Sequence, residues 1–504
     1  MTAAVGPRSV EPEWTDPALT TVLPEHIGRR YQAVPLRRES GRLVVGMVNP
    51  GDLRAVDDLR ALLGETFTRV LISTSQLSEL LDERSKLDEE VNNVAQIVVD
   101  DSFDDSQDLA SLRTVVEEAP IVKFVNLIIL QAVQERASDI HVEPTEHDLR
   151  IRFRIDGVLH QRMRQPRSII PGVISRLKVM ADIDIAERRV PKDGRITLTV
   201  EGTAVDLRVS TLPTVYGEKV VMRILDRASS VQSMASLGFL PAQLALYEHS
   251  FRKPYGAILV TGPTGSGKTT TLYATLNLLN EDSKNIVTVE DPVEYRLANV
   301  NQVQTNPKAG LTFANALRSI LRQDPDIILV GEIRDKETGV IAVEAALTGH
   351  LVLSTLHTND AASTPLRLIE MGIEPFLVTS AVDCVLAQRL ARRLCTRCRK
   401  PFVPREADLV AAQWDFARMP TEDLILHHAI GCAQCGGTGY RGRMAVHEVM
   451  VMSEQLNDLV VTRASSDDMR RAALSQGMID LRSDALAKVA LGHTTLEEVA
   501  RVVA

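Results

Sequence analysis

The sequence predicts an α/β protein whose largest part is a parallel sheet wrapped by helices. Three observations lead there. Between residues 237 and 391, segments of strand character at 257–260, 285–289, 327–330 and 351–355 alternate with helix-forming stretches, the order that builds a parallel sheet with helices on its faces. The first of these strands runs straight into a glycine-rich loop, Gly262-Pro263-Thr264-Gly265-Ser266-Gly267-Lys268-Thr269-Thr270. Four of the five cysteines fall in two Cys-x-x-Cys pairs, which suit a metal-holding insertion better than a disulfide framework.

The chain of 504 residues has room for about three or four domains. Residues 1–85 read as a small mixed domain, with a strand at 42–48, a turn at Asn49–Asp52 and an amphipathic helix over 53–63. Residues 86–116 form an acidic linker around Asp100-Asp-Ser-Phe-Asp-Asp-Ser106, whose run of carboxylates reads as solvated. A second, α+β domain spans 117–230. Helical spacing over 120–136 leads into the alternating strand Arg150–Ile155, and Asp156-Gly157 suits a hairpin turn. Further strands are expected at 195–200 and 204–209. Residues 231–391 form the nucleotide-binding core, 392–440 the four-cysteine module and 441–504 a helical C-terminal part. In the last, Ser465-x-x-Asp468 and Thr494-x-x-Glu497 read as helix capping boxes. Cys384 is expected on an apolar helix, inside the core.

Composition excludes several classes. A net charge of −9 argues against a duplex-DNA binder, which shows a basic face. No stretch approaches the ~18 uninterrupted apolar residues of a membrane span. The N-terminus lacks a basic region followed by an apolar core, so no secretion signal is expected. A cytosolic protein follows, able to dock onto a membrane complex.

The loop after the first core strand is read as a phosphate-binding loop. Its glycines let backbone N–H groups wrap a β-phosphate, and the helix that follows adds its positive N-terminal end. Lys268 would reach the β- and γ-phosphates, and the Thr269 hydroxyl would ligate Mg²⁺. The next strand ends in Glu290-Asp291-Pro-Val-Glu294, at the end of a parallel sheet where ligands sit. One of these carboxylates would polarise water and the others orient Mg²⁺; the competing reading is a charged surface turn. The strand 327–330 ends in Gly331-Glu332, where an ordinary P-loop ATPase has an Asp. Thr348–Asn359 is a strand flanked by His350 and His357, histidines placed to sense a γ-phosphate or simply to serve the fold.

Taken together, these boxes resemble the type II secretion and type IV pilus assembly ATPase family (GspE/PilB-like), on its secretion side. The phosphate loop, Glu290–Glu294, Gly331-Glu332 and Thr348–His357 carry the likeness. So do Ala137-Ser-Asp-Ile-His-Val-Glu-Pro144, Ser175–Met180 and Asp182–Arg195 in the second domain. The resemblance implies a RecA-like ATPase domain, a PAS-like second domain and a homohexamer. In that family's terms Glu294 is the water-activating glutamate and Glu332 the Walker B acid. His350 and His357 belong to the nucleotide site or its coupling path. Arg208 and Arg223, which read alone are salt-bridged surface residues, would reach triphosphate oxygens, a task suited to planar guanidinium groups. Arg318 and Arg322 would approach phosphate from a neighbouring subunit. The implied partners are inner-membrane platform proteins, including one with a cytoplasmic docking domain.

Cys395-x-x-Cys398 and Cys432-x-x-Cys435, 33 residues apart, match structural Zn²⁺, since four thiolates leave no open coordination position. The same module occurs in secretion and pilus-extension members and is generally missing from retraction motors. The arginine-leucine-glycine repeats with which some relatives bind cyclic di-GMP are not visible in residues 22–85, so that ligand is not expected. ATP, Mg²⁺ and structural Zn²⁺ are the expected cofactors. The rival readings are a nucleic-acid translocating P-loop motor, disfavoured by the acidic charge, and a signalling adaptor with a vestigial site, disfavoured by intact Lys268, Thr269, Glu294 and Glu332.

Overall fold

A computed structural model describes residues 25–39, 42–63, 66–74, 119–200, 203–226, 233–416 and 421–503, with Leu23, Gln76, Leu77 and Met419. The acidic linker expected at 86–116 lies outside them. Two compact units emerge: residues 1–228 with 395–399 and 429–441, and residues 229–394 with 400–428 and 442–504. No helix among the described residues is long and apolar enough to cross a membrane.

In the first unit, β1 (Ala33–Glu39), β2 (Arg42–Met47) and β3 (Phe67–Leu71) form a small sheet in that order. The helix Leu53–Leu63 forms as expected and sends Val56 and Leu59 into a core with Leu43 and Val45. Six further strands make an antiparallel sheet: β4 (Asp139–Pro144), β5 (Asp148–Ile155), β6 (Val158–Pro166), β7 (Lys192–Val200), β8 (Thr203–Thr214) and β9 (Gly217–Asp226). Their order is β6-β5-β4-β9-β8-β7. Asp156 and Gly157 both have positive φ, 48° and 85°, as a two-residue hairpin turn requires. Because side chains alternate along a strand, this sheet is two-faced. Ile140, Val142, Ile151, Phe153, Leu207 and Met222 share a core with Ile121, Phe124 and Ile128 of the helix Ala119–Gln134. The other face carries charge. There Glu143 takes Arg150 at 3.0 Å, Arg152 at 2.7 Å and Lys219 at 2.9 Å.

The second unit is built on β10 (Gly256–Thr261), β11 (Ile286–Glu290), β12 (Asn301–Gln304), β13 (Ile327–Val330), β14 (Leu351–Leu356) and β15 (Val382–Leu394). A short antiparallel pair, β16 (Lys400–Phe402) and β17 (Leu426–His428), stands apart, and β18 (Tyr440–Val451) closes the large sheet. That sheet runs β12-β11-β13-β14-β10-β15-β18, with every pair from β12 to β15 parallel. β10, β11, β13 and β14 are buried along their whole length, as expected of a parallel sheet covered on both faces.

Three local expectations are corrected. Cys384 is core, fully buried, but lies on strand β15 and not on a helix. Cys384–Ala387 is buried throughout, and a short apolar run does not distinguish strand from helix. Residues 440–451, read as the start of a helical part, are strand β18, buried without alternation from Met444 to Met450. The capping box at 465–468 is present. The second is displaced by one residue, because Thr494 Oγ1 donates to Arg392 O at 2.9 Å and leaves Thr495 to accept the Glu498 N–H at 3.2 Å. Glu498 then accepts Arg392 and Arg501.

Candidate active site

The glycine-rich loop joins the end of β10 to the helix Lys268–Leu279. Gly262, Gly265 and Gly267 have φ of 146°, 79° and 87°, a region that side-chain-bearing residues rarely occupy. At two of the three the space is also taken. A Cβ on Gly262 would lie 2.5 Å from the Gln388 carbonyl oxygen, and one on Gly267 would lie 2.8 Å from Gln388 Nε2. Pro263, Thr264 and Gly265 are exposed at the tip, while Thr269 and Thr270 are half-buried on the first turn of the helix. Gly267, the N-cap, supplies no side-chain acceptor, so the first-turn N–H groups are left to an anion. Ser266 Oγ is buried with no hydrogen-bond partner. An orphaned hydroxyl beside uncapped donors is what a phosphate cradle needs, and ATP fits this loop.

Lys268 Nζ donates to Gly262 O at 2.8 Å and to Pro263 O at 3.2 Å. Burial lowers its pKa and the charge of Glu332 opposes that shift. At the end of β13, Glu332 is mostly buried, with Arg334 at 2.6 Å on one oxygen and His357 Nε2 at 3.4 Å on the other. The hydrogen bond to Glu332 raises the Arg334 pKa. Lys268, Glu332 and His357 thus converge on the carboxyl end of the sheet, where ligands of open α/β sheets bind.

Glu290, Asp291 and Glu294 follow at the end of β11. Asp291 and Glu294 are exposed. Glu290 is buried: Thr288 Oγ1 donates to it at 2.6 Å, Gln302 Nε2 at 3.2 Å, and the Tyr273 hydroxyl also donates. Burial and the neighbouring Glu290 push the Tyr273 pKa up, so it stays a hydrogen-bond donor. Tyr295 packs edge-on against Tyr273 at 4.6 Å.

The remaining expected residues have partners of their own. His350 precedes β14, 2.9 Å by Nδ1 from Ala345 O at the end of the helix Lys336–Leu347. Its own carbonyl accepts the Gly256 N–H at the start of β10. The length of β14, about 20 Å at the rise of a strand, separates it from His357. Within this chain His350 is therefore not brought to the loop. Arg318 pairs with Glu337 at 2.7 Å, and Arg322 donates to Arg318 O at 2.8 Å; both are exposed. In the first unit, Arg208 and Arg223 are register partners on β8 and β9, and Arg223 lies 3.0 Å from Asp139.

The sulfurs of Cys395, Cys398, Cys432 and Cys435 all lie within 4.8 Å of one another, three of the pairs at 3.8 Å. A tetrahedron with zinc–sulfur bonds near 2.3 Å has edges of about 3.8 Å. Gly431, Cys432 and Gly439 N–H groups donate to sulfur at 3.1–3.3 Å, an arrangement that favours thiolates. The donor set fits Zn²⁺ in a closed, structural site.

The Type II/IV secretion system protein family matches residues 114–501. The chain belongs to this family. An MshEN domain matches residues 9–91. The type IV pilus assembly ATPase PilB of Myxococcus xanthus is 46% identical over 494 residues, 96% of this chain and 86% of that protein. Type II secretion system protein E of Dickeya dadantii is 44% identical over 96% of this chain and 98% of its own length. The structure of the ATPase DotB from Legionella pneumophila shares the fold at a TM-score of 0.55 and 20% identity, covering 75% of this chain and 94% of that one. The family member described here is a secretion ATPase of P-loop α/β fold, and its reaction is ATP hydrolysis.

Residues that sequence reasoning missed are those that hold the others: Gln388, Thr271, Tyr273, Thr288, Gln302 and Arg334. Only Gln388 carried a signal, as an uncharged polar residue directly after the apolar run Cys384–Ala387.

Proposed function

We propose that this chain is one subunit of a cytoplasmic hexameric motor that hydrolyses ATP to power assembly of a type II secretion pseudopilus. In this reading residues 262–270 hold the triphosphate, with Lys268 exchanging the Gly262 and Pro263 carbonyls for phosphate oxygens. Mg²⁺, when bound, supplies charge neutralisation at the β- and γ-phosphates. Thr269 would ligate it, and Glu332 and Asp291 would orient its bound waters. Glu294 takes the proton of the attacking water, and Glu290 fixes the turn that presents Glu294. His357 reports the state of Glu332 to the loop after β14. Arg208 and Arg223, Arg318 and Arg322, and His350 are assigned phosphate or coupling roles on family resemblance. Inner-membrane platform proteins are the proposed partners, and they would bring the chain to the membrane.

The observation that carries the hydrolytic reading is the loop itself, with uncapped donors, a buried orphan hydroxyl and Lys268 beside it. The secretion assignment is supported by the near end-to-end match to Dickeya dadantii protein E. Pilus extension is the second reading, favoured by the similar identity to Myxococcus xanthus PilB. A chromosomal Lys268→Ala substitution separates them when secreted proteins and surface pili are scored in parallel. Loss of secretion with normal pili is the expected result. Loss of pili with intact secretion would assign the chain to pilus extension, and no change in either would overturn both.

A further inference from the structure

Gln388 sits on β15 beside the phosphate loop. Its Nε2 donates to Ser266 O at 2.8 Å, and its Oε1 accepts the Thr271 hydroxyl at 2.7 Å. The side chain is 1% exposed and both ends of the amide are engaged. One amide therefore ties the carbonyl of the loop's last turn to the first turn of the helix behind it. The two strand residues before it fall in register with β10, Leu386 opposite Val260 and Ala387 opposite Thr261. Gln388 consequently stands where the chain leaves β10 for the loop. Glycine at 262 and 267 makes room for its carbonyl oxygen and its Nε2.

We infer that Gln388 is a positioning residue for nucleotide: it fixes the peptide at Ser266 so that the loop's N–H groups face the phosphates. The reason is directional. A carbonyl held by a donor from β15 is turned toward the sheet, and the N–H of the next residue, in the same peptide plane, is turned the other way, toward the loop's hollow. Without that hold the peptide is free to flip and place an oxygen where a phosphate oxygen belongs. The Ser266 carbonyl, which can only accept, fixes the amide with its nitrogen toward the loop, and Thr271 acts one step further back by donating its hydroxyl to the amide oxygen and holding the side chain in place. This inference rests on reading 262–270 as the nucleotide loop.

The test uses full-length protein, with binding of a fluorescent ATP analogue in Mg²⁺ buffer and steady-state kcat and KM for ATP. Gln388→Met keeps the volume and removes both hydrogen bonds. It is expected to weaken nucleotide binding about 10-fold, the size of one lost positioning hydrogen bond, with a melting midpoint that is lowered in nucleotide-free buffer but stays above the assay temperature. Thr271→Val should weaken binding about 3-fold and Thr271→Ser should restore it. The double variant Gln388→Met/Thr271→Val should bind no worse than Gln388→Met, because the two groups act through one amide. Wild-type KM and kcat in Gln388→Met would overturn the inference. Should that variant fail to fold, wild-type binding by Thr271→Val would overturn it instead. Lys268→Ala is the separate control: if it binds the analogue normally, the reading of the loop fails, whatever Gln388 does.

Discussion

The phosphate loop and the four-cysteine cluster are both glycine-rich turns, and they differ in what satisfies their polar atoms. In the cluster, backbone N–H groups already point at the sulfurs and the sulfurs at one another. A Cβ on Gly431 would lie 2.4 Å from Gly437 O, so the turn is closed around its ligand position. In the loop, the groups are held by partners that can be exchanged. Lys268 rests on carbonyl oxygens, Glu332 is shared between Arg334 and His357, and Ser266 Oγ has no partner. A closed donor set binds once and holds a fold together. An exchangeable one can take a ligand, change it and let it go.

The largest effect that would sharpen this contrast comes from removing the metal. Structural zinc contributes ~10–16 kcal/mol to folding small metal-held modules. Prolonged chelation, or Cys432→Ser, is expected to unfold the turns at 395–399 and 429–441, seen as new protease cleavage there, while the loop at 262–270 keeps its protection. Equal loss of protection at both places would break the contrast.

Next comes the acid at the end of β13. Glu332→Gln keeps the shape and removes the charge that faces Arg334, His357 and Lys268. It is expected to lower kcat by ~10²–10³ with nucleotide binding and zinc content retained. A variant that lost binding and rate together would show Glu332 to be a binding group only.

The smallest effect concerns the charged face of the first unit. Burial pushes the Glu143 carboxyl up, but hydrogen bonds from Arg152 and Lys219 outweigh it and hold its pKa at about 2, against 4.5 ordinarily. A carboxyl held below its unfolded value stabilises the fold above that value, and the gain is lost as pH falls through the window from 4.5 toward 2. The difference in melting midpoint between wild type and Glu143→Gln should shrink across that window. A constant difference would mean that packing, and not charge, is what Glu143 contributes.

What the sequence showed and hid follows from the same physics. The phosphate loop was legible because every residue of it is contiguous and each type is demanded by local backbone geometry. The cysteine pairs were legible because metal ligation fixes their spacing. The helix Leu53–Leu63 and the Asp156-Gly157 hairpin were legible because one period or one turn type sufficed. By contrast, Gln388 reaches the loop from more than a hundred residues away, and Tyr273 and Gln302 meet Glu290 only once three elements are packed. β15 and β18 were hidden because strands buried on both faces lose their alternation. Thr495 displaced Thr494 as a cap because Thr494 found a carbonyl on β15, a partner no local pattern reveals.

The most direct measurement is to purify Lys268→Ala beside the wild-type protein and determine ATP hydrolysis and zinc content on the same samples. The expected result is hydrolysis reduced at least ~10²-fold with an undiminished one zinc per chain. Hydrolysis that persists in the variant, or zinc lost along with it, would contradict the assignment of catalysis to the loop and of structure to the cysteines.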